Sequence, residues 1–109
     1  MDDAKTINDK QIRWLILLIL YENQRAKNRE VGGWMRLAML QRLLAAQGHD
    51  LTKDDIKAYC VYLADAEIRC LEIKIDGEHA PHIYKYRITA RGVRAANGEE
   101  KFPGIGLWE

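Results

Sequence analysis

This chain has almost no surplus of charge: 17 Lys and Arg stand against 16 Asp and Glu, a formal net charge of +1. No global field draws it onto phosphate or an anionic membrane, so a nucleic-acid role requires local asymmetry. Cysteine is scarce as well. Cys60 and Cys70 lack both the repeated ligand spacing of a zinc site and the density of a disulfide scaffold, which points to a reducing, cytoplasmic setting with both thiols packed inside. The apolar run WLILLILY, residues 14–21, falls short of the roughly 20 residues that span a bilayer, and no basic region or cleavage site marks a signal, so no membrane partner is expected. A glycine-rich phosphate loop and the order of a catalytic triad are also missing. The expectation is a protein that is not an enzyme, with no catalytic residues and no cofactor. His79 and His82, in HAPH, have no Cys or carboxylate companions at ligand spacing, so no metal is expected there either.

The chain does contain enough apolar residues for one core: 48% of its 109 residues are hydrophobic. Residues 8–25 read as a first helix capped by Asn8 or Asp9, with Ile12, Leu15, Ile16 and Ile19 as its core row. Trp14, Leu17 and Tyr21 form a second apolar stripe on the opposite side. A loop with Arg25, Lys27 and Arg29 ends at Gly32 and Gly33. Helical spacing returns over residues 34–47, where Leu37, Leu40 and Leu44 form the core row, Met35, Met39 and Arg42 point away, and Gly48 is the stop. Thr52 and Asp55 resemble a capping box opening a third helix whose buried face is Ile56, Tyr59, Cys60 and Leu63. Alternation follows, with Leu71, Ile73 and Ile75 on an inner face and then Tyr84, Tyr86 and Ile88 alternating with Lys85 and Arg87, as in an antiparallel hairpin. Thr89 caps a last helix, Ala90–Ala96. This order predicts an α+β winged helix-turn-helix: three helices, a two-stranded wing, then a short C-terminal helix and tail. The domain is expected over residues 1–98 and the tail over 99–109.

The segments QGHDLTKDDIKAYCVYL and ITARGVRAANGEEKFPGI resemble the small winged-helix proteins of Mu-like phages and prophages. Gly48, His49, Thr52, Asp55, Leu63, Thr89, Arg91, Gly92, Ala96, Gly98, Pro103 and Gly104 carry the match, which covers the C-terminal two thirds of the chain. The resemblance implies a phage protein of unassigned activity, encoded near packaging genes. Two features depart from it. Glu67 stands where relatives place a glycine after the third helix, and the tail ends GLWE where theirs is basic.

Residues 51–67 carry Lys53 and Lys57 against Asp54, Asp55, Asp65 and Glu67, whereas residues 68–98 carry six cations against three anions. The expected DNA contacts are therefore Lys74, Lys85 and Arg87 on the wing, with Lys53 and Lys57 on the third helix. Lys85 and Arg87 are equally readable as the solvated half of an alternating strand. Protein contacts are expected at Trp14, Leu17 and Tyr21, which suit a homodimer, and at Val61 and Tyr62. A tail folding back through Phe102, Ile105, Leu107 and Trp108 is the alternative cover for the first helix. The functional expectation is weak or assisted duplex DNA binding. The other reading is an adaptor that contacts a phage packaging or assembly protein and does not bind DNA.

Overall fold

In the computed structural model, which describes residues 3–26, 30–77 and 81–106, helix α1 runs Asp3–Arg25, starting before the expected cap at Asn8. A single 3-10 turn (Val31–Gly33) leads into strand β1 (Met35–Arg36), followed by α2 (Leu37–Ala46) and α3 (Lys53–Ala64). The hairpin β2 (Leu71–Asp76) and β3 (Ile83–Ile88) then leads to α4 (Ala90–Ala96). The fold is α+β, with four α-helices and one three-stranded antiparallel sheet ordered β1-β3-β2 among the described residues. It has one helical element more than expected, the 3-10 turn, and one strand more, β1.

β1 corrects the expectation of helix from residue 34. Gly32 and Gly33 take φ of 84° and 78°, and the chain leaves that turn extended, pairing Met35 with Tyr86 and Arg36 with Lys85. Met35 therefore lies in the core instead of pointing away. The apolar spacing that reads as helix is overridden by an edge that only the folded β3 can offer.

Both N-terminal caps form as their sequences suggest. The Thr52 hydroxyl accepts from Asp55 N at 3.1 Å while Thr52 N donates to the Asp55 carboxylate at 3.3 Å. Thr89 Oγ1 accepts from Gly92 N at 3.0 Å and donates to the Arg69 carbonyl at 2.6 Å. Gly92 is required by proximity: a Cβ there would lie 2.0 Å from the Cys70 carbonyl oxygen. After α3, Arg69 takes the left-handed conformation at φ 51°.

The core face of α1 is rotated from the expected row. Ile12, Ile16, Leu17 and Leu20 are buried, whereas Leu15 and Ile19 are only partly so. A helix apolar nearly all round gives periodicity no preferred face, so its packing partners decide. α4 and the tail close over the side that carries Trp14 and Leu17. Trp14 Nε1 donates to the Ala96 carbonyl at 3.0 Å, Arg13 donates to the Gly104 carbonyl at 3.0 Å, and Gly106 N donates to the Lys10 carbonyl at 2.9 Å. Ile105 is 1% exposed and Phe102 packs against the same core, so residues 99–106 are built into the fold. Leu107 and Trp108 lie outside the described residues. Leu17 is 0% exposed, so the stripe read as a homodimer surface offers no such residue to a second copy.

Along the hairpin, Leu71 pairs with Ile88 and Ile73 with Tyr86 over the core. Ile75, expected on that inner face, is instead 54% exposed toward the open end of the hairpin.

Candidate nucleic-acid interface

Two groups of cations differ in what holds them. On the outer face, the Arg87 guanidinium contacts the Glu72 carboxylate at 3.0 and 3.2 Å, donates to the Gly32 carbonyl at 3.2 Å and lies 4.4 Å from the centroid of the Trp34 ring. Lys85 Nζ sits 3.0 Å from both Glu30 and Asp76, with its side chain only 14% exposed. Hydrogen bonds from Lys85 hold Glu30 and Asp76 below their ordinary carboxylate values, and the same contacts raise Lys85 above its own. Lys74 lies 3.9 Å from Asp76 and stays half exposed. Lys85 and Arg87, expected as phosphate contacts, are thus already paired within the fold. β1 and the 3-10 turn bring Glu30, Trp34 and the Gly32 carbonyl against β3, and those groups use the charge up.

The second group lines a cleft of about 260 Å³ where the N-termini of α2 and α3 meet the start of β3. Arg36, Lys53, Lys57 and His82 supply its polar walls and Leu37, Ala38, Ile83 and Tyr84 the rest; among the described residues no carboxylate lines it. Asp54 and Asp55 stand outside the lining. Lys53 forms no ion pair among the described residues, and Lys57 Nζ rests 4.2 Å from the centroid of the Tyr84 ring, which holds the ammonium without neutralising it. Arg36, the N-cap of α2, makes no side-chain capping bond, and Leu37 and Ala38 of the first turn line the cleft. Its guanidinium bonds Glu30 at 2.9 Å and remains 57% exposed. His82 Nδ1 lies 3.1 Å from the Gly77 carbonyl oxygen. His79 lies outside the described residues.

Comparison with protein-family models, curated proteins and solved structures found no match for this chain. The site is therefore argued from its own geometry.

Of the expected DNA-contacting residues, the fold brings Lys53 and Lys57 into the cleft, while Lys74, Lys85 and Arg87 stand outside its lining, Lys85 sharing Glu30 with Arg36. Arg36, His82 and Tyr84 were missed by sequence reasoning. The glycine pair before Trp34 was the one local sign that the chain could turn and start its helix later, leaving Arg36 at the cap. Of the residues read as protein contacts, Val61 is 63% exposed. Tyr62 is not free: its ring lies 4.0 Å from the Arg13 guanidinium, and a Cβ at Gly104 would fall 1.9 Å from its hydroxyl oxygen, so the tail covers it. Trp14 and Tyr21 are partly buried.

Nothing reactive stands out elsewhere. Burial pushes the Cys70 thiol up to about 11 and the Cys60 thiol higher still, the opposite of an activated nucleophile. Tyr59 is raised to about 12, first by burial and then by the Asp9 carboxylate that accepts its hydroxyl at 2.6 Å. Among the described residues no group of three or more His, Cys, Asp or Glu could hold a metal ion, and no helix is long and apolar enough to cross a membrane. A second concavity, about 630 Å³, opens between α1 and α2, walled by Leu15, Leu18, Ile19, Met35 and Leu43.

Proposed function

We propose that this chain is a winged helix-turn-helix protein that binds duplex DNA without catalysing a reaction, using α2 and α3 as the helix-turn-helix and β2–β3 as the wing. The observation that carries this reading is the cleft of Arg36, Lys53, Lys57 and His82, which no carboxylate lines among the described residues. A helix N-terminus bears partial positive charge, so a lysine at the first position of α3 and an arginine at the cap of α2 are locally unfavourable. Local rules are broken in this way where a function compensates, and a phosphate in the cleft would give Lys53 a partner and the half-exposed Arg36 a second one beside Glu30. Affinity would be dominated by the DNA backbone, because α3 contributes few side chains suited to base edges.

The test is fluorescence anisotropy with a mixed-sequence duplex across a salt series. Binding by the wild type should weaken steeply with salt, and replacing Lys53 and Lys57 with Ala should flatten the slope of log affinity against log salt by about two phosphate contacts' worth. Absence of binding at low salt sinks the reading.

A second reading, an adaptor that contacts a phage packaging or assembly protein, is favoured by the apolar groove between α1 and α2. Its contacts would be nearly indifferent to salt, so the same titration separates the two.

A further inference from the structure

The cleft does not end at Arg36. A second hollow of about 270 Å³ continues over the outer side of α2, lined by Trp34, Met39, Arg42 and Glu30, and it shares Arg36 and Ala38 with the cleft. Together the two form one trough across the first turns of α2. Arg42 stands at its far end, exposed and without an ion pair among the described residues. Glu30 is the single carboxylate lining the trough among the described residues, and it is engaged by Arg36 at 2.9 Å and Lys85 at 3.0 Å. At 1.5 Å rise per residue, Arg42 lies roughly 9 Å along α2 from Arg36, while successive phosphates of one strand advance about 3.4 Å along the duplex axis. One phosphate cannot serve both ends.

We infer that Arg42 is a second phosphate contact, and that the duplex backbone runs from the cleft along the outer side of α2 instead of over the exposed face of α3. The inference rests on the DNA-binding reading. The outer face of α3 supports the same orientation by exclusion: Asp54, Ala58, Val61 and Asp65 are exposed there, which is acidic and apolar and so unsuited to phosphate. The trough carries cations from both helices and the α3 face presents none of its own, so a rigid duplex gains more from lying along α2.

The experiment measures duplex affinity and its salt slope for the wild type, Arg42→Ala, Arg42→Lys and Val61→Glu, all surface changes. Arg42→Ala should weaken binding about threefold to tenfold at low salt and reduce the slope by about one contact. Arg42→Lys should restore the slope, since a lysine can keep the charge contact. Val61→Glu should leave both unchanged. If the wild type binds and the Lys53/Lys57 variant loses affinity, yet Arg42→Ala keeps the full slope, the inference falls while the DNA reading stands. Loss of binding in Val61→Glu would also overturn it, by placing the duplex against α3. A wild type that fails to bind any duplex would take down both.

Discussion

The outer face of the sheet and the cleft beside it contain the same residue types and present opposite electrostatics. On the sheet, the cross-strand register sets Arg87 opposite Glu72 and Lys85 opposite Lys74, and Asp76 with Glu30 neutralises Lys85. In the cleft, Lys53 and Lys57 come from a helix start whose carboxylates have other positions and tasks: Asp55 closes the capping box and Asp54 lies outside the lining. Counting charges by segment ranks the two regions in the opposite order to the geometry, since residues 51–67 are net acidic and residues 68–98 net basic. What decides availability for phosphate is whether each cation already has a partner.

The strongest way to break this comparison is to reverse the charge of the cleft. Lys53→Glu with Lys57→Glu should lower duplex affinity about a hundredfold, or ~2.7 kcal/mol, measured by anisotropy at fixed low salt. Both side chains lie at the surface of α3, and far-ultraviolet circular dichroism should show the helices retained. By contrast, Lys85→Ala with Arg87→Ala should change affinity by less than about threefold, because those charges are already satisfied within the fold. An equal loss from both pairs would erase the distinction.

The smaller pair should instead register in stability, with a defined pH dependence. Glu30 and Asp76 are held below their ordinary values of 4.5 and 3.8 chiefly by hydrogen bonds from Lys85. A carboxylate with a depressed folded value contributes stability that is fully present above its unfolded value and is lost as pH falls through the folded one. Thermal unfolding of the wild type should therefore be flat above roughly pH 5 and decline below it, whereas Lys85→Met should begin lower and decline less steeply. Identical acid limbs would mean that the Glu30–Lys85–Asp76 contacts contribute nothing in solution.

These two regions also mark where the sequence was readable. The capping box at Thr52 and Asp55, the cap at Thr89, the stop at Gly48 and the hairpin alternation each depend on residues within a few positions of one another, and each formed as expected except at Ile75, which is exposed. The face of α1, strand β1 and the pairing of Glu30 with Lys85 depend on elements that meet only after folding. Leu17 illustrates the limit. Its spacing from Trp14 and Tyr21 describes an apolar stripe correctly, but the stripe carries no mark that α4 and Ile105 will cover it. In the cleft, Lys53 and Lys57 were legible as helix cations, while Arg36 was hidden inside a helix assigned too early.

The smallest expected effect sharpens the comparison most, because it asks the neutralised face to gain what the cleft already has. Glu72→Gln keeps the side-chain volume and one acceptor oxygen but removes the charge opposite Arg87. Arg87 should stay in place, since it also lies against Trp34 and donates to the Gly32 carbonyl, so the substitution exposes a cation without releasing the side chain that carries it. A freed, positioned guanidinium adds about one phosphate contact if the duplex reaches that face. With the backbone running along α2, the sheet's outer face lies beside the trough, Trp34 bordering both, so a modest gain is expected: affinity up about twofold to threefold, with a slightly steeper salt slope. The gain should vanish in Glu72→Gln combined with Arg87→Ala. If Glu72→Gln alone leaves affinity untouched while the cleft variants lose it, the sheet face is remote from the duplex and its ion pairs serve the fold only. A gain that persists without Arg87 would instead mean that Glu72 repels DNA directly, so that the carboxylate and not the occupied cation is what sets this face apart.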